Sequence, residues 1–545
     1  METALTRERI ARSAERGLWR NESLETYLDR WATRRSNKTA IVDGRTRHTY
    51  GELARLVERV AYGLRAHGVE AGSTISCQLP NWNECIVLFL AAARLGAVVN
   101  PIPPTYRASE LRFMLGLLKS RVVVIPEGFR GFNHAEMMHG LRADLPAVEH
   151  VFVVRGAPAA GMKPWTMLTD TAWESREGRQ ALPGSDPNRV HEVVFTSGTT
   201  GEPKGVMHTP NTTLSTIYSV IERLQFSDRD VIMMASTLGH QTGYLYGYCL
   251  NVLLGATAVW LDVWNAADAA RVIEAERVTF TMGATPFLQD LTYVSTAHDL
   301  SSLRVFISAG ASIPRQLVVD ARARLRCAIS AGWGMTENGL ATCNGPSDPE
   351  DKIVETDGVP LPGMALRVLD EAGRDVTPGV EGDLVVTGPA QFVGYFERPE
   401  FTTLAHTVDG WFKTGDRATL DRDGYLAITG RSKDLIIRGG ENIPVAEVEN
   451  LLFAHPKLAG VAIVAMPDPR LQERACAFVI PRPGESVTLD ELVAYLDAKQ
   501  LSKQKFPERL EIVSEFPMTP SGKVQKYRLR QLIKERIAAE TQRTS

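Results

Sequence analysis

The stretch TSGTTGEPKG, residues 196–205, concentrates hydroxyl side chains, glycines and one lysine. Hydroxyls, exposed backbone N–H groups and an ammonium are what a protein uses to hold phosphate. The preceding VHEVVF has strand character, which predicts a loop that follows a strand. Taken alone, such a loop also has a reading as a surface turn. Two common phosphate patterns fail here. A GxxxxGK[ST] loop starting at Gly198 needs glycine where Pro203 stands, and Ser or Thr where Gly205 stands. A GxGxxG dinucleotide loop fails because the glycines fall at positions 198, 201 and 205.

Four further motifs follow in order: GWGMTE (332–337), WFKTGD (411–416), GRSKDLIIRGGENI (430–443) and TPSGKVQK (519–526). Each has an ordinary reading of its own. Glu337 reads as a solvated turn residue, Trp333 as core, Lys204 and Lys523 as surface lysines, and His240 in STLGHQTG as structural. Together the five motifs resemble the acyl-adenylate-forming superfamily: acyl-CoA synthetases, peptide-synthetase adenylation domains and luciferases. The resemblance runs from about residue 25 to 535, and GWGMTENGLATC looks like medium-chain and cyclohexanecarboxylate–CoA ligases.

That resemblance implies ATP, Mg²⁺ and coenzyme A as cofactors, with a carboxylic acid as substrate. AMP is joined to the acid with loss of pyrophosphate, and the acyl group then passes to a thiol. Thr196, Ser197, Gly198, Thr199, Thr200 and Lys204 would hold the leaving phosphates. Thr336 would meet the α-phosphate and Glu337 would bind Mg²⁺. Trp333 stands where relatives more often have tyrosine; it keeps a flat face for adenine but lacks the hydroxyl. Gly334 and Met335 flank it, and Gly310, Ala311 and Ser312 in SAGASIP line the adenine side. Asp416 would hold the ribose, with Arg431 beside it. Lys523 would be the adenylation lysine, swung in by a mobile C-terminal domain, with Lys433 at the hinge where many relatives carry an acid. Arg438, Gly439, Gly440 and Glu441 would face CoA in a second orientation. His240, Thr242, Gly243, Met282, Gly283 and Gly310 would border the acyl pocket, with His240 as gate or catalytic residue.

The elements that must position these residues read as layered α/β. Helical and strand patterns alternate over the first two-thirds of the 545 residues. YGELARLVERVAYGLRAHG predicts a helix, STISCQLPN a buried strand, and NTTLSTIYSVIERL a helix with Asn211 as its N-cap. Short strands with Gly, Pro and Asp-Gly turns predict a β-rich, barrel-like subdomain over about 358–430. The expected organisation is an N-terminal domain 1–432 of two α/β subdomains plus this β-rich part, and a small α+β domain 433–545. In the latter, Thr488 and Glu491 predict a capping box.

Net charge −3 and 23% charged residues carry no basic excess, which excludes a dedicated nucleic-acid binder. The six scattered cysteines, none in a CxxC pair, fit a reducing compartment. The N-terminus lacks the apolar run of a secretory signal. YLYGYCLNVLLGATAVWL (244–261) is interrupted by Gly247, Asn251 and Gly255 and reads as helix–turn–strand, with no integral membrane segment expected. A cytoplasmic enzyme is expected, and a homodimer is left open.

The pocket segments are small or apolar, without a cation for a second carboxylate or an acid for a substrate ammonium. An apolar medium-chain or alicyclic monocarboxylic acid such as cyclohexanecarboxylate is favoured over an aryl or long-chain one. The alternatives are an acyl-AMP ligase that loads a carrier protein, an ADP-forming phosphotransferase, and a catalytically silent nucleotide- or acyl-binding protein.

Overall fold

The computed structural model describes the chain apart from residues 178–179, 197–202, 311–312, 432–435, 439–440, 444, 500, 520–521 and 545. Among the described residues, two large sheets form the layered core. In the seven-stranded sheet the order is Lys204–His208, Glu192–Thr196, Val98–Pro101, Thr74–Cys77, Val122–Pro126, His150–Val154, Lys163–Pro164. Its strands are parallel except for the Lys204–His208 edge, which returns antiparallel to Glu192–Thr196. Strands such as VVVIP at 122–126 are buried along their whole length, as expected of parallel strands covered on both faces.

The nine-stranded sheet has a parallel centre containing Val231–Met234, Phe280–Gly283, Val305–Ala309 and Ala328–Met335. A hairpin then folds Gly339–Cys343 back on Ala328–Met335. The carboxyl ends of two adjacent parallel strands thus bring Gly283 and Ala309 to one edge, where ligands of such sheets bind, with Gly332 of the next strand beside Ala309. Between the sheets lies a core that includes Phe89, Leu214, Ile217, Tyr244 and Tyr248.

The helix over 210–224 is capped by Thr209, whose side chain accepts the Thr212 N–H, with Pro210 in the first turn. This corrects the expected Asn211 cap. Asn211 lies two residues too far in, and its amide bonds Asn21 and Asn188 instead. Proline at the first helical position loses no hydrogen bond and favours the earlier start. The apolar stretch 244–261 divides as expected into a π-helical turn Gly243–Cys249, a helix Leu250–Leu254 and a strand Thr257–Trp260. No helix among the described residues is long and apolar enough to cross a membrane.

A four-stranded antiparallel sheet, Ala365–Leu369, Gly382–Thr387, Phe412–Leu420 and Leu426–Arg431, carries the WFKTGD motif. The C-terminal sheet is built on the long hairpin Leu458–Asp468 and Gln472–Pro481, with helices Val445–Phe453, Leu489–Ala498 and Lys526–Thr544. Thr488 and Glu491 form the expected capping box. The cysteines carry free thiols, although Cys77 and Cys85 Sγ approach to 3.6 Å.

Candidate active site

The hairpin turn at Thr336–Glu337–Asn338 follows the strand Ala328–Met335, and both Thr336 and Glu337 are buried. Two anchors fix it. Asn338 Oδ1 accepts the Met335 N–H at 3.1 Å, and Thr336 O accepts from His208 Nε2 at 2.7 Å. A carbonyl can only accept, so His208 carries its proton on Nε2. Burial lowers the His208 pKa to about 4, which keeps the ring neutral.

Glu337 Oε1 accepts the Tyr395 hydroxyl at 2.8 Å. Burial raises the Glu337 pKa above the ordinary carboxylate value; the Tyr395 bond and the charges of Lys204 and Arg431 oppose the rise. The Tyr395 segment runs beside the strand Lys204–His208: Met207 N–H donates to Gly394 O and Phe396 N–H to Gly205 O. Lys204 Nζ lies 5.1 Å from the Tyr395 ring centroid and 4.7 Å from that of Phe401, within cation–π range. Tyr395 therefore joins the lysine of the first motif to the carboxylate of the second. Sequence reasoning missed it, because nothing local marks one tyrosine, 58 residues beyond Glu337, as its partner.

Trp333 and Asp416 meet across two sheets. The register of the hairpin shifts between Trp333 and Gly334, and a Cβ on Gly334 would stand 2.7 Å from Leu340 Cα. A bulge of this kind re-aims a side chain. Along Phe412–Leu420 the burial alternates, which puts Asp416 on the inner face. Trp333 Nε1 donates to Asp416 Oδ2 at 2.8 Å, and Arg431 Nε pairs with Oδ1 at 2.9 Å. The indole N–H thus supplies a polar contact that the sequence reading, concerned with the lost hydroxyl, did not assign. A carboxylate offers about four lone-pair positions, so acceptor capacity remains for a diol.

Lys523 belongs to the C-terminal part, yet it reaches this cluster. Its turn is closed by Thr519 N–H to Lys523 O at 2.7 Å and Lys523 N–H to Thr519 Oγ1 at 2.9 Å. Gly522 takes a φ of +81° there, which only glycine adopts freely. Lys523 Cε and Nζ lie 3.1 and 3.5 Å from where a Cβ on Gly310 would stand. Burial, and then the Arg431 guanidinium, lower the Lys523 pKa to about 8, while Asp416 and Glu337 hold it up. Gln289 Nε2 donating to Ala459 O at 2.9 Å adds a second link between the C-terminal part and the helix Thr285–Tyr293.

His240 is half-buried, and its Nδ1 accepts the Thr242 N–H at 3.3 Å. Burial, with the Lys523 charge second, lowers its pKa to about 3, so the ring is neutral at physiological pH. Gly243 is forced by space: a Cβ there would stand 2.6 Å from Ser236 O. Met282 and Gly283 close the strand Phe280–Gly283 beside Val305–Ala309.

The structure therefore brings together Lys204, Thr336, Glu337, Trp333, Asp416, Arg431, Gly310 and Lys523. Thr196 ends its strand, whereas Ser197, Gly198, Thr199, Thr200, Ala311, Ser312, Lys433, Gly439 and Gly440 lie outside the described residues. Arg438 and Glu441 are paired in a hairpin of the C-terminal sheet, and Arg438 Nε bonds Glu508 Oε1 at 2.7 Å.

Layered α/β sheets, with a lysine from a separate C-terminal part placed over their strand ends, define a nucleotide-activating ligase. The chain belongs to the AMP-binding enzymes: the model of that description matches residues 28–396, and that of the AMP-binding enzyme C-terminal domain matches 447–523. It is 36% identical to the medium-chain fatty-acid–CoA ligase of Escherichia coli (strain K12), with 98% of this chain and 94% of that one covered. It is 32% identical to the 2,3-dihydroxybenzoate-AMP ligase of Bacillus subtilis (strain 168), with 96% of each covered. ATP-bound MatB from Rhodopseudomonas palustris superposes with a TM-score of 0.83 at 27% identity, covering 94% of this chain and 99% of that one. The chain is accordingly an adenylate-forming enzyme, the family that its five motifs resemble.

Proposed function

We propose that this chain is an ATP-dependent carboxylate–CoA ligase that makes an acyl-AMP and pyrophosphate, then an acyl-CoA thioester and AMP. The observation that carries the reading is the seat of Lys523 against Gly310, within the electrostatic reach of Arg431, Asp416, Glu337 and His240. An ammonium there neutralises the carboxylate and α-phosphate oxygens as they approach. The carboxylate oxygen attacks the α-phosphorus, and the bond to the β-phosphate oxygen breaks. Lys204, with Ser197, Thr199 and Thr200, holds the departing phosphates, and Thr336 meets the α-phosphate. Asp416 and Arg431 hold the ribose, with Trp333 at the adenine. Such a reaction is accelerated mainly by positioning and preset charge.

Glu337 suits Mg²⁺ as a hard oxygen donor. Among the described residues no group of three or more His, Cys, Asp or Glu forms a metal cage. Glu337 is the residue that would hold the ion. When bound, Mg²⁺ supplies neutralising charge to the phosphates.

For the second step the C-terminal part, 433–545, turns about Lys433 and presents Arg438–Glu441 to CoA. A neutral His240 leaves the acyl side uncharged for thiol entry. The free cysteine thiols, and the need for ATP and CoA, support a cytoplasmic location.

A compact apolar acid is supported by the floor below Gly310. Gly332 pairs with Ala309, and Leu340 Cδ1 lies 2.9 Å from where a Gly332 Cβ would stand. The Leu340 N–H donates to the Tyr246 hydroxyl at 2.7 Å, and Thr216 Oγ1 lies 3.3 Å from that oxygen. In this reading the Leu340–Tyr246–Thr216 cluster floors the acyl pocket and disfavours a long alkyl chain. The test is a panel of alicyclic, aryl, medium-chain and long-chain acids with ATP and CoA, scored for AMP, pyrophosphate and thioester. Thioester from compact acids is expected. ADP as product, or no turnover with any acid, contradicts the reading, and acyl-AMP that is passed only to a carrier protein favours carrier loading.

A further inference from the structure

The strand Glu192–Thr196 carries into the interior an acidic side chain that the reaction above does not use. Glu192 is fully buried. Gln241, the residue after His240, is buried too and turns its amide toward Glu192, with Nε2 to Oε2 at 3.4 Å. The other oxygen of each side chain, Glu192 Oε1 and Gln241 Oε1, is buried without a hydrogen-bond partner among the described residues. Both are acceptors if the carboxyl is ionised. One proton resolves both: a carboxylic acid donates to the amide oxygen while its second oxygen accepts the amide N–H, which closes a cyclic pair.

We propose that Glu192 is a positioning residue, paired with Gln241 as an acid–amide couple that ties the His240 turn to the strand leading into the 196–205 loop. The inference rests on the reading of that turn and loop as parts of the ligase site. Among the described residues, no neighbouring charge favours the anion. His191, the residue just before the strand, is held neutral by burial, its pKa lowered to about 3, and its Nε2 lies 2.8 Å from Thr213 Oγ1. His208, the Cα partner of Glu192 on the edge strand, is neutral as well. Tyr244, Tyr248 and Cys249 face it from the π-helical turn, each with its pKa raised by burial. Glu25 faces Tyr248 and accepts the Ser185 N–H at 2.7 Å. Burial pushes the Glu192 pKa up to about 8, with the Gln241 amide as the opposing influence. Below that pH the couple is intact. As pH rises through it the proton leaves, and a buried anion then faces the Gln241 carbonyl.

The experiment compares wild type, Glu192→Gln and Glu192→Met between pH 6.5 and 9.5, with adenylation and thioester transfer assayed separately. Lys523 and the CoA thiol titrate alike in all three proteins, so the ratio of wild type to Glu192→Gln isolates Glu192. An amide–amide pair keeps the ring of hydrogen bonds without a proton to lose. The ratio is expected to stay level to about pH 7.5 and to fall at least threefold by pH 9.5. Glu192→Met is expected to lower kcat about tenfold at every pH. A level ratio overturns the shared proton, and wild-type kcat and KM in Glu192→Met overturn the positioning role. Should Glu192→Met fail to fold, the ratio alone decides. If wild type activates no acid, the ligase reading fails instead. The couple is then read from thermal unfolding: wild type must lose Tm relative to Glu192→Gln as pH rises from 5 to 8.

Discussion

In the proposed reaction Lys523 is the residue on which the chemistry turns, and its environment gives it a testable pH signature. Its folded pKa of about 8 lies below the ordinary lysine value, so the free enzyme carries the ammonium below pH 8 and loses it above. The kcat/KM for adenylation, which reports free-enzyme groups, is expected to fall on the alkaline side from about pH 8. Lys523→Arg should abolish that limb, since arginine stays charged; an unchanged limb removes Lys523 as its source. Lys523→Ala is expected to cost adenylation roughly 10²–10³-fold, the scale of one lost charge-stabilising group, while sparing thioester transfer from supplied acyl-AMP. Equal loss of both half-reactions contradicts its one-step role. Asp416→Ala should raise the KM for ATP about 10–100-fold, in line with ~1.5–3 kcal/mol for hydrogen bonds to a charged group. An unchanged KM for ATP takes Asp416 out of the ribose site. The motifs that carry these residues were legible in the sequence, and the structure brings them together. The partnerships were not: Trp333 on Asp416 and Tyr395 on Glu337 span 83 and 58 residues and arise only when separate sheets pack.

At the scale of elements, the site depends on strand ends that approach closely. Gly310 has a φ of +86° and sits against the Lys523 side chain. Gly310→Ala adds backbone strain of roughly 1–2 kcal/mol and pushes the lysine aside. Adenylation is expected to fall on the order of tenfold or more while thioester transfer holds; unaffected adenylation contradicts the seat described for Lys523. The π-helical turn supplies the other limit. Tyr246→Ala should open the floor that Leu340 and Thr216 close, shifting the preferred acid toward longer chains in the same panel. An unshifted preference places the floor elsewhere. Periodicity made the helices and parallel strands readable here, because amphipathic helices and fully buried strands leave strong patterns. It could not show that GWGMTENGLATC is one bulged hairpin, since small residues and glycines carry little pattern. Nor could it place the cap of the helix Pro210–Leu224, where Thr209 and Asn211 compete in the same four residues.

Across the whole molecule Lys523 lies against Gly310 of the large sheet, the arrangement that the proposed first half-reaction uses. In the proposed second half-reaction the C-terminal part turns, so a bulky residue at Gly440 should impair thioester transfer and spare adenylation; unimpaired transfer counts against that assignment. Layered α/β architecture was legible from the alternation of patterns, whereas the acid was not, because small and apolar pocket segments fit many acids alike. The central claim is that the carboxylate takes AMP from ATP, and oxygen transfer tests it most directly. With an accepted acid labelled with ¹⁸O in its carboxylate, ATP and CoA, the AMP released should carry one ¹⁸O and the pyrophosphate none. Label in inorganic phosphate, with ADP as the nucleotide product, would contradict the account.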